Sequence, residues 1–380
     1  MSDHKEAKSF SRFGYIMVAA GAAIGLGNIW KFPYLAYGDG GGAFVLIYIV
    51  ICILLGHPIV QAEQAVGRRG CASAAASYGV IHPKWRFVGV INIVCTFLID
   101  IYYLVVSGWV LKYFVTYVVS GDFGKDKQAY FDNYISSTTQ PLIYSLIIIA
   151  IIVFFLALTN QFIIYPVVKF FLFFGITNIV EKASKVIMPM LAVLLLVCGI
   201  YALIVVPGAV DGLKYYFVPD FSKFGMQQFA DACMQVCFSV GIGWGIFTTL
   251  GASMDKDANL KADAWWVDIC DTFIALLAGF VIIPTVVGTG SEMSSGPSLV
   301  FVAMTQIFET LPGGRMIGIF FFASLIFAVI STFFTILEIP RMYVQEKTHT
   351  SHQVSLIITA ALVYGGSVLC SLSKGVLNWL

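Results

Sequence analysis

Apolar stretches of about 20 residues recur from one end of this 380-residue chain to the other, each long enough to cross a hydrocarbon layer of about 30 Å as a helix. Inside lipid no water is available to bond the backbone, so such stretches fold as helices whose N–H and C=O groups pair within the segment. Charged residues make up 11% of the chain and hydrophobic ones 59%, against roughly 25% and 45–50% in soluble domains. The recurrence therefore excludes a soluble body carrying one anchor. With a net charge of +1, no basic field points to nucleic acid and no acidic tail to a basic partner. Met1 to Arg12 is polar and leads into a bilayer-length run without a small-residue cleavage site, so the first span is expected to stay in the mature protein.

Hydropathy and its interruptions predict nine spans, near 13–37, 43–66, 87–119, 141–175, 186–206, 226–250, 264–287, 315–339 and 354–370. A cytoplasmic amino terminus places Lys5, Lys8, Arg12, Arg68, Arg69, Lys84, Arg86, Lys182, Lys185, Lys256, Lys261, Arg341 and Lys347 inside, which follows the positive-inside rule. As one helix, 141–175 would reach about 52 Å, while two crossings of about 17 residues would each be barely long enough. One crossing followed by an irregular interfacial piece is expected, because Asn160, Gln161, Pro166 and Lys169 are poor lipid contacts. The cysteines lie mostly in apolar runs without metal-ligand spacing and read as small packing residues, Cys233 and Cys237 included.

Two spans carry clustered glycines. The first reads Gly21-Ala22-Ala23-Ile24-Gly25-Leu26-Gly27-Asn28, followed by Pro33 and by Gly38, Gly40, Gly41 and Gly42; the sixth reads Ser239-Val240-Gly241-Ile242-Gly243-Trp244-Gly245. Small residues also serve close helix packing, but glycines at alternating positions make no single helical stripe. Local unwinding accounts for them better. Unwound backbone in a membrane is tolerated where it lines a cavity or binds something. Its free carbonyls suit cations, and the helix restarting near Asn28 offers N–H groups and a positive dipole end to a carboxylate. The two interruptions lie five spans apart, as they do when five-helix halves repeat in inverted orientation around a midplane site.

The run from Arg12 to Phe44, with Gly-Leu-Gly-Asn-Ile-Trp-Lys-Phe-Pro-Tyr and Gly-Gly-Gly-Ala-Phe, closely resembles the first-helix signature of neurotransmitter:sodium symporters. The resemblance continues through Gly56-x-Pro58 with Glu63 and Gly67, Ile101-Tyr102-Tyr103, Glu181-Lys182-Ala183-Ser184-Lys185, the sixth span, and Gly296-Pro297 to Gly314. It implies an all-α membrane protein of the bacterial leucine-transporter fold, with residues 1–206 as the first repeat and 207–380 as the second. It further implies secondary active import of amino acids or related amines, driven by sodium. The family's second repeat runs on to a tenth helix and beyond; nine spans leave that repeat truncated, and a non-transporting amino-acid binder is the rival reading.

The resemblance implies two sodium sites. The first comprises the Ala23 carbonyl, Asn28, Ser239, Asp271 and the substrate carboxylate; the second comprises the Gly21, Ile24 and Ala328 carbonyls with the Ser331 and Thr332 hydroxyls. An oxygen-only set suits a hard cation. Asp271 stands where the family commonly has Asn, and Ala275 where chloride-dependent members have a chloride-binding Ser, so chloride is not expected. Asp268, one turn earlier, is the alternative by register, and Asp100 is a second intramembrane acid for which an interhelical hydrogen bond is expected.

Gly25 replaces the Asp of monoamine-transporting relatives and leaves room for a substrate carboxylate, which Tyr103 resembles the family tyrosine in binding. The unwound backbone at Ala23, Leu26, Gly27, Gly241 and Gly243 and the side chains of Ile99, Phe238, Ser239, Trp244, Thr332 and Ile336 would complete a pocket for a neutral, hydrophobic or aromatic amino acid. Phe238 resembles the lid, Lys31 with Gln235 the outer gate, and Arg12, at the base of the helix that carries Trp30, the cytoplasmic latch. Glu63 would hold the unwound segments by hydrogen bonds. No His-Glu-x-x-His, Gly-x-Ser-x-Gly or phosphate-loop pattern is present, which reads against an enzyme.

Overall fold

The computed structural model describes residues 11–158, 179–223, 225–255, 257–290 and 296–372, and among these there is no strand. The helices are α1 (Arg12–Ala23), α2 (Gly27–Gly38), α3 (Gly42–Gly70), α4 (Ala74–Ile81), α5 (Pro83–Val119), α6 (Lys127–Ser136), α7 (Gln140–Leu158) and α8 (Ile179–Val205). They continue with α9 (Ala209–Phe217), α10 (Met226–Val240), α11 (Ile246–Gly251), α12 (Leu260–Thr289), α13 (Leu299–Thr310), α14 (Gly314–Ile336), α15 (Glu338–Thr348) and α16 (His352–Leu372).

Each of the nine expected spans carries helix. α3, α5, α7, α8, α12, α14 with α15, and α16 are long and apolar enough to cross a bilayer, and α1 with α2 form one broken span bent by 61°. α10 and α11 occupy the sixth position on either side of the glycine run. In the 141–175 stretch α7 provides one crossing; the expected interfacial piece, with Asn160, Gln161, Pro166 and Lys169, lies outside the described residues. The short helices α4, α6, α9 and α13 have no counterpart in the sequence reading, because hydropathy registers only segments that cross.

The outside of the bundle is apolar. Leu54, Leu98, Ile204 and Leu369 are all exposed, as expected where the surrounding medium is lipid rather than water. α12 and α14 are the innermost spans, and the buried polar residues Asp271, Thr332 and Ser331 sit on them. Cys52 and Cys198 are buried as the packing reading requires, whereas Cys95 lies on the outward face of α5.

The glycine cluster after α2 is explained by close approach. A side chain at Gly41, whose φ is +59°, would begin 2.1 Å from the Tyr215 carbonyl oxygen. The turn is thereby pressed against the end of α9, and the Tyr215 hydroxyl closes the contact on the Tyr37 carbonyl at 2.5 Å. This fixes where α2 ends, and with it the upper half of the first broken span.

Candidate functional site

Between α10 and α11 the chain leaves the helix at Gly241 and re-enters it after Gly245. Gly241, Gly243 and Gly245 have φ of +76°, +80° and +79°, in the left-handed region that costs other L-residues roughly 1–2 kcal/mol each. The alternation in the sequence is therefore a backbone requirement. The freed polar groups are met by three neighbours. The Gly243 N–H donates to Glu63 at 2.8 Å, the Asn92 amide reaches the Gly243 carbonyl at 3.0 Å, and the Thr96 hydroxyl donates to the Trp244 carbonyl. Glu63 thus holds the unwound segment as expected; Asn92 and Thr96, one turn apart on α5, are holders that the sequence reading missed.

The first span breaks differently. α1 ends at Ala23, a π-turn runs from Gly27 to Lys31, and no residue in between has positive φ. Asn28 folds back on the gap, its Oδ1 accepting the Gly25 N–H at 3.0 Å. Its Nδ2 donates to Ser239 Oγ at 2.9 Å and to Asp271 Oδ1 at 2.7 Å. Ser239 Oγ donates to Asp271 Oδ2 at 2.9 Å, and the Tyr48 hydroxyl donates to the same oxygen at 3.3 Å. Three of the residues expected at one ion position are thus within hydrogen-bond reach of each other, and Tyr48 joins them without having been expected. An isolated carboxylate in lipid is costly; three donors and full burial make this one a built feature.

On the other side of the break, Thr332 Oγ1 donates toward the carbonyls of Gly21, Ile24 and Ala328, at 3.2, 2.8 and 3.0 Å. Ser331 does not join them. Its hydroxyl points to Met188 Sδ at 3.4 Å and would lie 1.9 Å from any side-chain carbon at Gly21. Being next to Thr332 on a helix, it faces about 100° away.

Between the two clusters lies Gly25. A side-chain carbon placed there would be 3.5 Å from the Tyr103 hydroxyl, 3.6 Å from Thr332 Oγ1 and 4.0 Å from the Ala23 carbonyl oxygen, in ordinary contact with all three. The Tyr103 hydroxyl is buried beside Thr332 and the Leu26 backbone but closes a well-aligned hydrogen bond to neither, unusual enough in a folded protein to require an explanation. Ile99 lies one turn before Tyr103 on α5, and Phe333 packs on the Tyr103 ring at 5.4 Å. Leu26 and Thr332 are buried beside Tyr103, and Ile336, one turn after Thr332 on α14, is buried as well. Phe238 meets Trp244 edge-on at 5.5 Å and crowds Gly27, where a side-chain carbon would lie 2.5 Å from its ring.

The proposed gates are rearranged relative to expectation. Lys31 lies over the Phe238 ring at 4.6 Å, while Gln235 is buried and donates to the Gly27 carbonyl at 3.4 Å. Lys31 therefore bears on Phe238, and Gln235 on the broken span. Arg12 pairs with buried Asp263 at 2.8 Å, tying α1 to the start of α12. Trp30, beyond the 61° break of the same span, packs on Phe301 at 6.5 Å. Asp100 is buried with neither oxygen hydrogen-bonded, so the expected interhelical bond is absent. Asp268 faces His57 at 3.0 Å instead of Asn28, which removes the register alternative for Asp271.

The sodium:neurotransmitter symporter family matches residues 7–122 and 150–378. The chain belongs to this family. It is 31% identical over 368 residues to a sodium-dependent transporter of Haemophilus influenzae, covering 93% of this chain and 77% of the relative. It is 32% identical over 380 residues to the transporter YhdH of Bacillus subtilis, covering 100% and 81%. Among solved structures, MhsT in complex with L-phenylalanine superposes with a TM-score of 0.85 at 32% identity, covering 98% of this chain and 82% of MhsT. The symporter is thus a sodium-dependent, multi-pass membrane protein with the fold that its first-helix signature implies.

Proposed function

We propose that the symporter imports a neutral, hydrophobic or aromatic L-amino acid together with sodium by alternating access, in a cell membrane where its amino terminus is cytoplasmic. The observation that carries this reading is the space at Gly25. It is bounded by the Tyr103 hydroxyl, by Thr332 and by the Ala23 carbonyl, a setting that offers a carboxylate a hydrogen bond and puts no acid opposite an amine. Beyond it the walls are Ile99, Phe238, Trp244 and Ile336, which present no complementary charge to a polar side chain. The L-phenylalanine bound by MhsT supports the same substrate class.

In this reading sodium occupies two positions. One is bounded by the Ala23 carbonyl, Asn28, Ser239, Asp271 and the substrate carboxylate, the other by the Gly21, Ile24 and Ala328 carbonyls with Thr332, while Ser331 beside it is turned to Met188. Two sodium ions entering with a zwitterion carry two charges, worth about 4.6 kcal/mol per 100 mV, enough for roughly three decades of accumulation. The Asp271 carboxylate supplies a fixed negative charge beside the first position, so no chloride is required. Binding, closure and release make up the whole cycle, with no covalent step. Arg12 with Asp263 would latch the cytoplasmic end, and Lys31, Gln235 and Phe238 would cover the outer one, as the broken spans rock between the halves 1–206 and 207–380.

Uptake of radiolabelled phenylalanine and leucine into proteoliposomes tests this. An inward sodium gradient should drive accumulation, and replacing chloride by gluconate should leave the rate unchanged. A rate that collapses in gluconate removes the role given to Asp271. Competition by tyramine, which lacks a carboxylate, as effective as that by tyrosine would overturn the substrate class.

A further inference from the structure

At the end of the bundle opposite Arg12, a cavity of about 180 Å³ lies between the last turn of α5, the start of α6, α13 and the start of α14. Its floor holds two hydroxyls, Tyr117 Oη and Thr305 Oγ1, on residues only 3% and 1% exposed, which face each other and have no other hydrogen-bond partner. Two buried hydroxyls with only one another still have a donor to offer an occupant. Two cations line the same space. Lys127, with a side chain 4% exposed, pairs with Glu309 at 2.5 Å. Arg315 spends Nε and Nη2 on the carbonyls of Tyr117, Val118 and Val119, at 2.9, 2.6 and 3.2 Å, and so caps the end of α5.

The lining therefore holds two positive charges against one, and that one, Glu309, is spent on Lys127. A cation is repelled by such a lining. A neutral ligand would leave the excess charge unanswered. The space is also smaller than the roughly 300–1,000 Å³ of drug-sized pockets. We infer that this cavity binds a small monoanion, a halide or a short carboxylate, held by the Tyr117 and Thr305 hydroxyls between Lys127 and Arg315.

The occupant would tie α13 to the end of α5. α13 begins with Leu299 and carries Phe301, which stacks on Phe131 at 5.5 Å, meets Trp109 edge-on at 5.9 Å and lies 6.5 Å from Trp30, two residues after Asn28. The anion is thus a fastener on the wall above the broken first span. It is not a transported ion.

The test uses the full chain in detergent at constant sodium, with thermal unfolding read as gluconate is replaced by chloride, bromide, formate or acetate. Wild type should show a saturable rise in melting temperature with the halides, the carboxylates or both, and the effective arm identifies the source. Thr305→Val and Tyr117→Phe keep the shape of the lining while removing the hydroxyls. Each should melt no lower than wild type in gluconate, and together they should raise the half-saturating anion concentration at least tenfold without changing phenylalanine binding. A linear anion response of equal slope in wild type and variants, or no response in wild type, would overturn the site. If the double variant does not fold, the same comparison is made with Thr305→Val alone, where an unchanged half-saturating concentration is the contrary result.

Discussion

The two polar clusters flanking the break in the first span are built from different materials. Around Asp271 there is a full carboxylate, with Asn28, Ser239 and Tyr48 donating to it. Around Thr332 there are only backbone carbonyls and one hydroxyl. A carboxylate in lipid persists only if its donors are already in place, so the first cluster is rigid before any ion arrives. The second depends on the helix ends that supply its carbonyls, and it changes whenever α1 and α14 shift relative to one another. In the proposed function one cluster would answer to charge and the other to the alignment of two helices.

The sharpest way to break this contrast is at Asp271. Asp271→Ala removes the charged oxygen partner of the proposed ion, worth up to about 3 kcal/mol, so the sodium concentration that half-saturates amino-acid binding should rise roughly a hundredfold. Thr332→Val removes one hydroxyl and leaves the carbonyls free to meet an ion, and should cost about 1–1.5 kcal/mol, close to tenfold in the same titration. Equal effects from the two variants would refute the distinction between a charged and a neutral cluster.

Two glycines sharpen it further. Gly25→Ala fits without strain, its side chain 3.5 Å from Tyr103 Oη, so uptake should fall while the melting temperature stays near wild type. Gly243→Ala meets nothing within 4 Å but sits at φ +80°, and should lower stability by about 1 kcal/mol, read as an earlier unfolding midpoint in detergent. The smallest effect is expected at Ser331. Because its hydroxyl faces Met188, Ser331→Ala should shift sodium dependence by no more than about 0.5 kcal/mol, the lower end for one neutral hydrogen bond. A shift as large as that of Thr332→Val would show that the side chain turns toward the carbonyls when sodium binds.

Much of this was legible in the sequence because lipid leaves the backbone few choices. Nine apolar runs had to be helices, and glycines at 241, 243 and 245 had to interrupt one of them. The meeting of Asn28 with Asp271 was implied by the family signature and not by spacing, since 243 residues separate them. Ser331 faces Met188 here because neighbours on a helix point in different directions, which a motif does not record. Tyr48, Asn92 and Thr96 were missed for a related reason. A single polar residue in an apolar run carries no address, and its partner is chosen by helix packing. The interhelical hydrogen bond expected for Asp100 is not made.

The glycine run between α10 and α11 also constrains how this gene can change. Every single-base substitution in a glycine codon that replaces glycine by another amino acid gives Ala, Val, Ser, Cys, Arg, Trp, Asp or Glu. Only Asp among these adopts the left-handed conformation with any frequency, and it would bring a charge into the unwound stretch. Positions 241, 243 and 245 therefore have no neutral neighbour one mutation away. Divergence toward another substrate would then be channelled to the proposed walls, at Ile99, Phe238, Trp244 and Ile336, where a codon change alters a side chain and leaves the turn intact.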